Sequence, residues 1–216
     1  MPQQLPPAVS PDVFEHAADT LIDTARELSA NGWTPATSSN FSMRVDAEYA
    51  AITVSGRDKG KLGRNDIMLI NIEGCAVGTD SRPSAETALH TQIYQHWPDV
   101  KAVLHTHSRA QSVASRLYAK AAVVHLQGWE LQKAITGYTT HDSVLDIPVF
   151  PNTQHMPELI AHVDAWLASG KPLHAYLIDG HGLYAWGRDM AEAQRQLEAL
   201  EFLLSCELDL RRLQTP

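Results

Sequence analysis

Two kinds of apolar spacing alternate along this chain from Ser10 to its last residues, and that alternation most limits what it can fold into. Apolar residues three and four apart predict helices at Val13–Leu28, 84–96, 108–117 and 156–169. A further one opens at Asp189, with Leu197, Leu200, Leu204 and Leu208 on one stripe. Between them lie short β-rich runs: "AAITVS", "DIMLINIEG", "VKAVLHTH", "AAVVHL" and "IPVF". "HAYLIDGHGLYAWG" reads as two strands meeting near Gly180-His181-Gly182. Several neighbouring runs are joined by connections too short for a crossover helix, which demands antiparallel pairing there. The expected architecture is a single-domain layered α/β/α fold with a mixed, largely antiparallel central sheet, spanning 10–213 after a flexible segment at 1–9. Ser10-Pro11-Asp12 supplies an N-cap, a first-position proline and a first-turn acid. Ser84 is expected to cap the second helix, "TPATSSNFSMR" to be a polar loop and "WELQKAI" a short helix.

Composition narrows the function classes. A chain of 216 residues can bury one substantial core. It has no apolar run near the roughly 18 residues a membrane span needs, so no membrane partner is expected. The N-terminus lacks the basic and apolar regions of a signal peptide, so a cytoplasmic location is expected. Cys75 and Cys206 are too few for a disulfide framework and do not form a Cys-x-x-Cys pair. A formal charge of -8 argues against nucleic acid as partner but leaves room for an anionic small substrate in a locally basic pocket. The eleven histidines are the oddity.

His105 and His107 end the apolar run "VKAVL". Side chains two apart on a strand face the same way, with Cα atoms roughly 6–7 Å apart, so both imidazoles can reach one cation. Two partly exposed histidines with ordinary hydrogen bonds would look the same. A catalytic metal needs a third protein ligand, and His181, flanked by Gly180 and Gly182, is the best placed candidate. His90, His96 and the other histidines lack a comparable setting and read as surface or packing residues.

Three polar clusters could wrap a phosphate, although each alone is ordinary turn chemistry. They are the loop around Asn40, the "SGRDKGK" stretch with Ser55, Gly56 and Lys59, and Ser84 at a helix start. No Walker or dinucleotide fingerprint is present. Glu86, in the expected first turn after Ser84, and Glu130 are candidate proton-transfer groups, though either could equally be a solvent-facing helix residue.

Taken together, "TPATSSNFSMR", "TVSGRDKG", "PSAETALHTQIYQHWPDVKAVLHTHS" and "DGHGLYAWG" resemble the class II aldolase/adducin family, in the family's order and over about residues 11–210. The resemblance implies one zinc per subunit on His105, His107 and His181, and phosphate contacts from the Asn40 loop, Ser55-Gly56 and Ser84. It also implies an acid/base role for Glu86 and a homo-oligomer, often a tetramer. Ala85 stands where the aldolases often carry a second serine. "SGRDKGKLG", "GWELQKAITGYTTHDS" and "IPVFPNTQHM" are most similar to the dehydrating branch, in which Glu130 matches the proposed acid/base. That branch takes a phosphorylated ketose, a 2-ketopentose 1-phosphate. Cleavage of a sugar phosphate in place of water loss, and a non-enzymatic adducin-like module, are the alternatives.

Overall fold

Among the described residues nine strands form one sheet, with the fifth strand of the chain at its centre, the first to fourth on one side and the ninth to sixth on the other. The computed structural model describes residues 3–214. In chain order its elements are α1 (Pro11–Ala30), β1 (Asn40–Arg44), β2 (Tyr49–Thr53), β3 (Ile67–Asn71), β4 (Ala76–Val77) and α2 (Thr87–His96). There follow β5 (Ala102–Thr106), α3 (Arg109–Tyr118), β6 (Val123–Leu126), β7 (Leu145–Phe150), α4 (Met156–Ala168), β8 (Ala175–Ile178), β9 (Leu183–Gly187) and α5 (Met190–Gln214). Only β7 and β8, joined through α4, run parallel. The other neighbours are antiparallel, as the short connections require.

Period-two alternation sorts the strand side chains into two cores. Phe41, Ala51, Leu104, Leu177 and Ala185 face α1, α3 and α5. Ile52, Met68, Val103, Tyr176 and Tyr184 face α2 and α4. This is the expected three-layer α/β/α arrangement. Leu197, Leu200, Leu204 and Leu208 are buried along α5, and Asp189 opens that helix by accepting the Glu192 N–H at 2.7 Å.

Three local expectations need correction. Helix α2 starts at Thr87, not Ser84. Ser84 Oγ and its carbonyl accept the Glu86 and Thr87 N–H groups at 3.2 and 3.1 Å, so Ser84 forms a turn ahead of the helix. Glu86 is therefore the residue immediately before α2 and not part of a first turn. The polar stretch expected as a loop contains the central strand β1, whose Asn40 and Ser42 are buried against polar partners from the α2 side. The "WELQKAI" segment is a short helix as expected, of the 3-10 kind, over Glu130–Ala134. Before α1, Gln3 and Gln4 donate hydrogen bonds to Val77 and Gly78 and Val9 is buried; Met1 and Pro2 lie outside the described residues.

Candidate active site

β5 sits at the centre of the sheet, between β1 and β9. Register places Asn40 of β1 and Tyr184 of β9 directly opposite His105, so the three side chains share the sheet face that α2 covers. The Tyr184 ring stacks on His105 with centroids 4.1 Å apart. His107 follows β5 and precedes Ser108, which caps α3 by accepting the Gln111 N–H at 3.0 Å. Glu201 of α5 accepts from both Ser108 Oγ (2.6 Å) and Gln111 Nε2 (2.9 Å), and this clamps the strand-to-helix junction.

The third histidine arrives on the β8–β9 turn. Gly180 has φ +62, and a Cβ on Gly182 would overlap the Thr106 carbonyl. Only glycine lets this turn lie against the end of β5. Helix α3 fixes it further: Ser112 Oγ donates to the His181 carbonyl at 2.8 Å, and the Gly180 N–H donates to Ser115 Oγ at 3.0 Å.

The result is convergence. His105 Nε2 lies 2.8 Å from His107 Nε2 and 3.4 Å from His181 Nε2. Among the described residues, these three are the group of potential ligands whose donor atoms all lie within 4.8 Å of one another. The remaining nitrogen of His105, Nδ1, is 3.0 Å from the Leu183 carbonyl, which can only accept; Nδ1 therefore carries the proton and Nε2 keeps its lone pair. Burial, reinforced by His181, lowers the His107 pKa to about 4. Burial and the two neighbouring imidazoles hold His105 well below its usual range. Neutral imidazoles with lone pairs aimed at one point repel each other unless a cation sits between them, and a divalent metal ion is the cation such a donor set fits.

Glu86 borders the triad. Its Oε1 is 3.1 Å from His181 Nε2, and its Oε2 is 3.6 Å from His105 Nε2 while accepting the Asn40 amide N–H at 2.6 Å. Asn40 Oδ1 in turn bonds His90 Nε2. His90 is wholly buried, a packing position whose ring nitrogens are also hydrogen-bonded. Glu86, His90 and Tyr94 are four residues apart in sequence, the spacing of one helix face; that signal was available and would have pointed to them.

A cavity of about 310 Å³ opens beside this cluster, walled by Asn40, Ser55, Gly56, Ser84, Glu86, His107 and His181 among others. Its loop wall is strained: Ala36 (φ +57) and Ser39 (φ +75) adopt left-handed backbone without being glycine. Ser38 Oγ is buried there with no hydrogen-bond partner. Lys59 lies behind the wall, buried, its Nζ donating to the carbonyls of Thr37 (3.3 Å) and Arg57 (2.8 Å). Glu130 is elsewhere. Its side chain is 73% exposed and pairs with Lys133 at 2.5 Å, and it does not line this cavity.

A triad that can hold a divalent metal, a carboxylate against it and a polar loop wall thus meet at one edge of an α/β/α sheet. The chain belongs to the class II aldolase/adducin family: the family model "Class II Aldolase and Adducin N-terminal domain" matches residues 19–208. A methylthioribulose-1-phosphate dehydratase of Stenotrophomonas maltophilia is 61% identical over 91% of this chain and 92% of its own length. One from Xanthomonas campestris pv. campestris is 58% identical over 92% and 91%. Among solved structures, an L-fuculose 1-phosphate aldolase superposes with a TM-score of 0.75 at 25% identity, covering 96% of this chain and 90% of its own. The corresponding aldolase of Thermus thermophilus gives 0.72 at 24%, over 94% and 98%. No helix among the described residues is long and apolar enough to cross a membrane.

Proposed function

We propose that this protein is a zinc-dependent dehydratase that converts 5-methylthioribulose 1-phosphate to 2,3-diketo-5-methylthiopentyl 1-phosphate, a step of methionine salvage in the cytoplasm. The observation that carries this reading is the 61% identity to a dehydratase of that name over nine-tenths of both chains. The intact histidine triad and adjoining carboxylate supply the chemistry. Zinc on His105, His107 and His181 would supply a Lewis acid for the C2 carbonyl oxygen, which makes the C3 proton removable.

The chain's own groups do the rest. Glu86 stands at the triad, in reach of whatever atom is held there, and acts as acid/base. Removal of the C3 proton and departure of the C4 hydroxyl as water leave an enol, which tautomerises to the 2,3-diketone; the proton taken from C3 can leave with that hydroxyl. Ser55, the backbone at Gly56 and Ser84 hold the phosphate, joined by Ser38, whose buried hydroxyl otherwise lacks a partner. Lys59 places positive charge behind them. Asn40, committed to Glu86 and His90, keeps one amide proton for the substrate.

Glu130 enters this reading from a second copy. In a homo-oligomer, here taken as a tetramer, its exposed carboxylate would face the cavity of the next subunit. Exposed apolar side chains on α3 (Val113, Leu117) and α5 (Phe202, Leu210) are surfaces such an assembly would cover. The test is incubation with 5-methylthioribulose 1-phosphate and analysis of the product. A diketone with no carbon–carbon cleavage supports the dehydratase. Dihydroxyacetone phosphate plus an aldehyde would make the protein an aldolase, and no turnover with a full metal complement would sink both.

A further inference from the structure

A one-way chain of buried hydrogen bonds runs from the α2 interior to Glu86. Asn40 Nδ2 donates to the Glu86 carboxylate at 2.6 Å, so Asn40 Oδ1 is the acceptor that faces His90 Nε2. His90 Nε2 therefore bears the proton, and its Nδ1 must accept from Ser42 Oγ, 2.7 Å away. With its only proton spent there, Ser42 Oγ accepts from the Tyr94 hydroxyl at 2.8 Å. Each step fixes the next, and every donor points toward Glu86. The far end is held as well: Arg44 Nη2 donates to the Tyr94 carbonyl at 2.7 Å, and the Arg44 guanidinium lies 4.7 Å above the Tyr94 ring.

This network occupies an expensive place. Ser42 pairs in register with Ile52 and Val103, both core residues, and Ser42 and His90 are completely buried. The surrounding layer is otherwise Ile52, Met68, Leu89, Ile93 and Val103. Apolar side chains of similar volume would satisfy such a layer at no desolvation cost, so a fully paired polar chain there is not required for stability. Its terminus lies against the histidine triad, which says what it serves. The amide of Asn40 cannot pass a proton along, so the chain orients Glu86 and does not conduct.

We propose that His90, with Ser42 and Tyr94, is a positioning residue: through Asn40 it aims the Glu86 carboxylate at the reacting atoms of the substrate. The proposal rests on Glu86 being the acid/base of the proposed dehydratase. Ser42→Ala and Tyr94→Phe each delete one oxygen and leave the packing in place, while His90→Gln keeps a donor for Asn40. Metal content, melting temperature, kcat and KM are measured for each, in the wild-type background and with Glu86→Asp, which withdraws the carboxylate from Asn40 but keeps a base.

The expected result for Ser42→Ala is a kcat lower by about tenfold or more, with KM within about twofold and metal content unchanged. Tyr94→Phe, one bond further away, should lose less, and His90→Gln should retain more activity than His90→Leu. In the Glu86→Asp background the Ser42→Ala loss should disappear, because the carboxylate no longer meets the network. An undiminished loss in that background would overturn the proposal, as would a loss that tracks released metal or raised KM. A wild-type protein that makes no diketone is a different failure: it removes the dehydratase reading, while the ratio of variant to wild-type rates on the true substrate still decides the role of His90.

Discussion

Glu86, just ahead of α2, and Glu130, which opens a 3-10 turn, are the same residue type, and the fold treats them oppositely. Glu86 has a side chain only 17% exposed, accepts from Asn40 and lies against two histidines of the triad. Glu130 stands 73% exposed, and its partners among the described residues are Lys133 and His141. Its pKa is lowered, first by the Lys133 hydrogen bond and then by that charge, so it is a carboxylate that can accept a proton but not donate one near neutral pH. An exposed pair of this kind contributes little to stability. The contrast teaches that a single subunit has one carboxylate built into its site and a second carried on its surface, available to whatever docks beside it.

The comparison is broken most severely by removing what Glu86 borders. His105→Ala should drop activity to background and leave the protein without its metal, measured as zinc per chain by elemental analysis. Retained metal and turnover would end the triad assignment. Glu86→Gln comes next, with kcat lower by about 10²–10⁴-fold and metal retained, since it keeps shape but cannot transfer a proton. Normal turnover in this variant would move the acid/base role away from the triad.

Glu130→Gln tests the other side. If Glu130 serves the cavity of a neighbouring subunit, its loss should cost about 10²-fold in kcat. Co-refolding it with Glu86→Gln should then restore activity at roughly a quarter of the sites, because mixed assemblies regain both carboxylates at some of them. Separate variants that each lack activity and never complement would place Glu130 outside the chemistry or in its own subunit's site. A Glu130→Gln enzyme with unchanged turnover would leave Glu86 as the sole carboxylate.

Legibility in the sequence followed the same division. Where side-chain periodicity matched burial, as along α1 and α5, the elements could be read directly. His105, His107 and His181 were also readable, because two-residue spacing on a strand and flanking glycines are local facts. The strand β1 was hidden, since its inward residues Asn40 and Ser42 are polar and satisfy each other's neighbours from α2. A buried polar network breaks the apolar alternation that marks a strand, so the site concealed its own scaffold. His90 sits on a helix, and its four-residue spacing from Glu86 and Tyr94 was the signal that went unused. Glu130 could be matched by resemblance, but its own surroundings, Lys133 and His141 on an exposed turn, do not mark it as a site residue.

The smallest effect concerns charge at a distance. Burial lowers the Lys59 pKa to about 8, against the pull of the Asp58 and Asp66 carboxylates. Between about pH 8 and the usual lysine value near 10.5, the unfolded chain holds more protons at this position than the folded one, so this group makes the fold more stable as pH rises through that window. Phosphate binding moves the other way, because the anion draws on the protonated form. KM should therefore rise above about pH 8 while kcat stays level. Lys59→Met, which keeps the stem and removes the charge, should raise KM by roughly three- to tenfold at pH 7 and flatten the alkaline rise. Its melting temperature should shift little, because the desolvation cost of the buried charge and its hydrogen bonds to the Thr37 and Arg57 carbonyls are lost together. A wild-type and a Lys59→Met enzyme with superimposable KM–pH curves would show that Lys59 only ties the Thr37 and Arg57 loops together, and that the phosphate is held by Ser38, Ser55 and Ser84 without charge behind them.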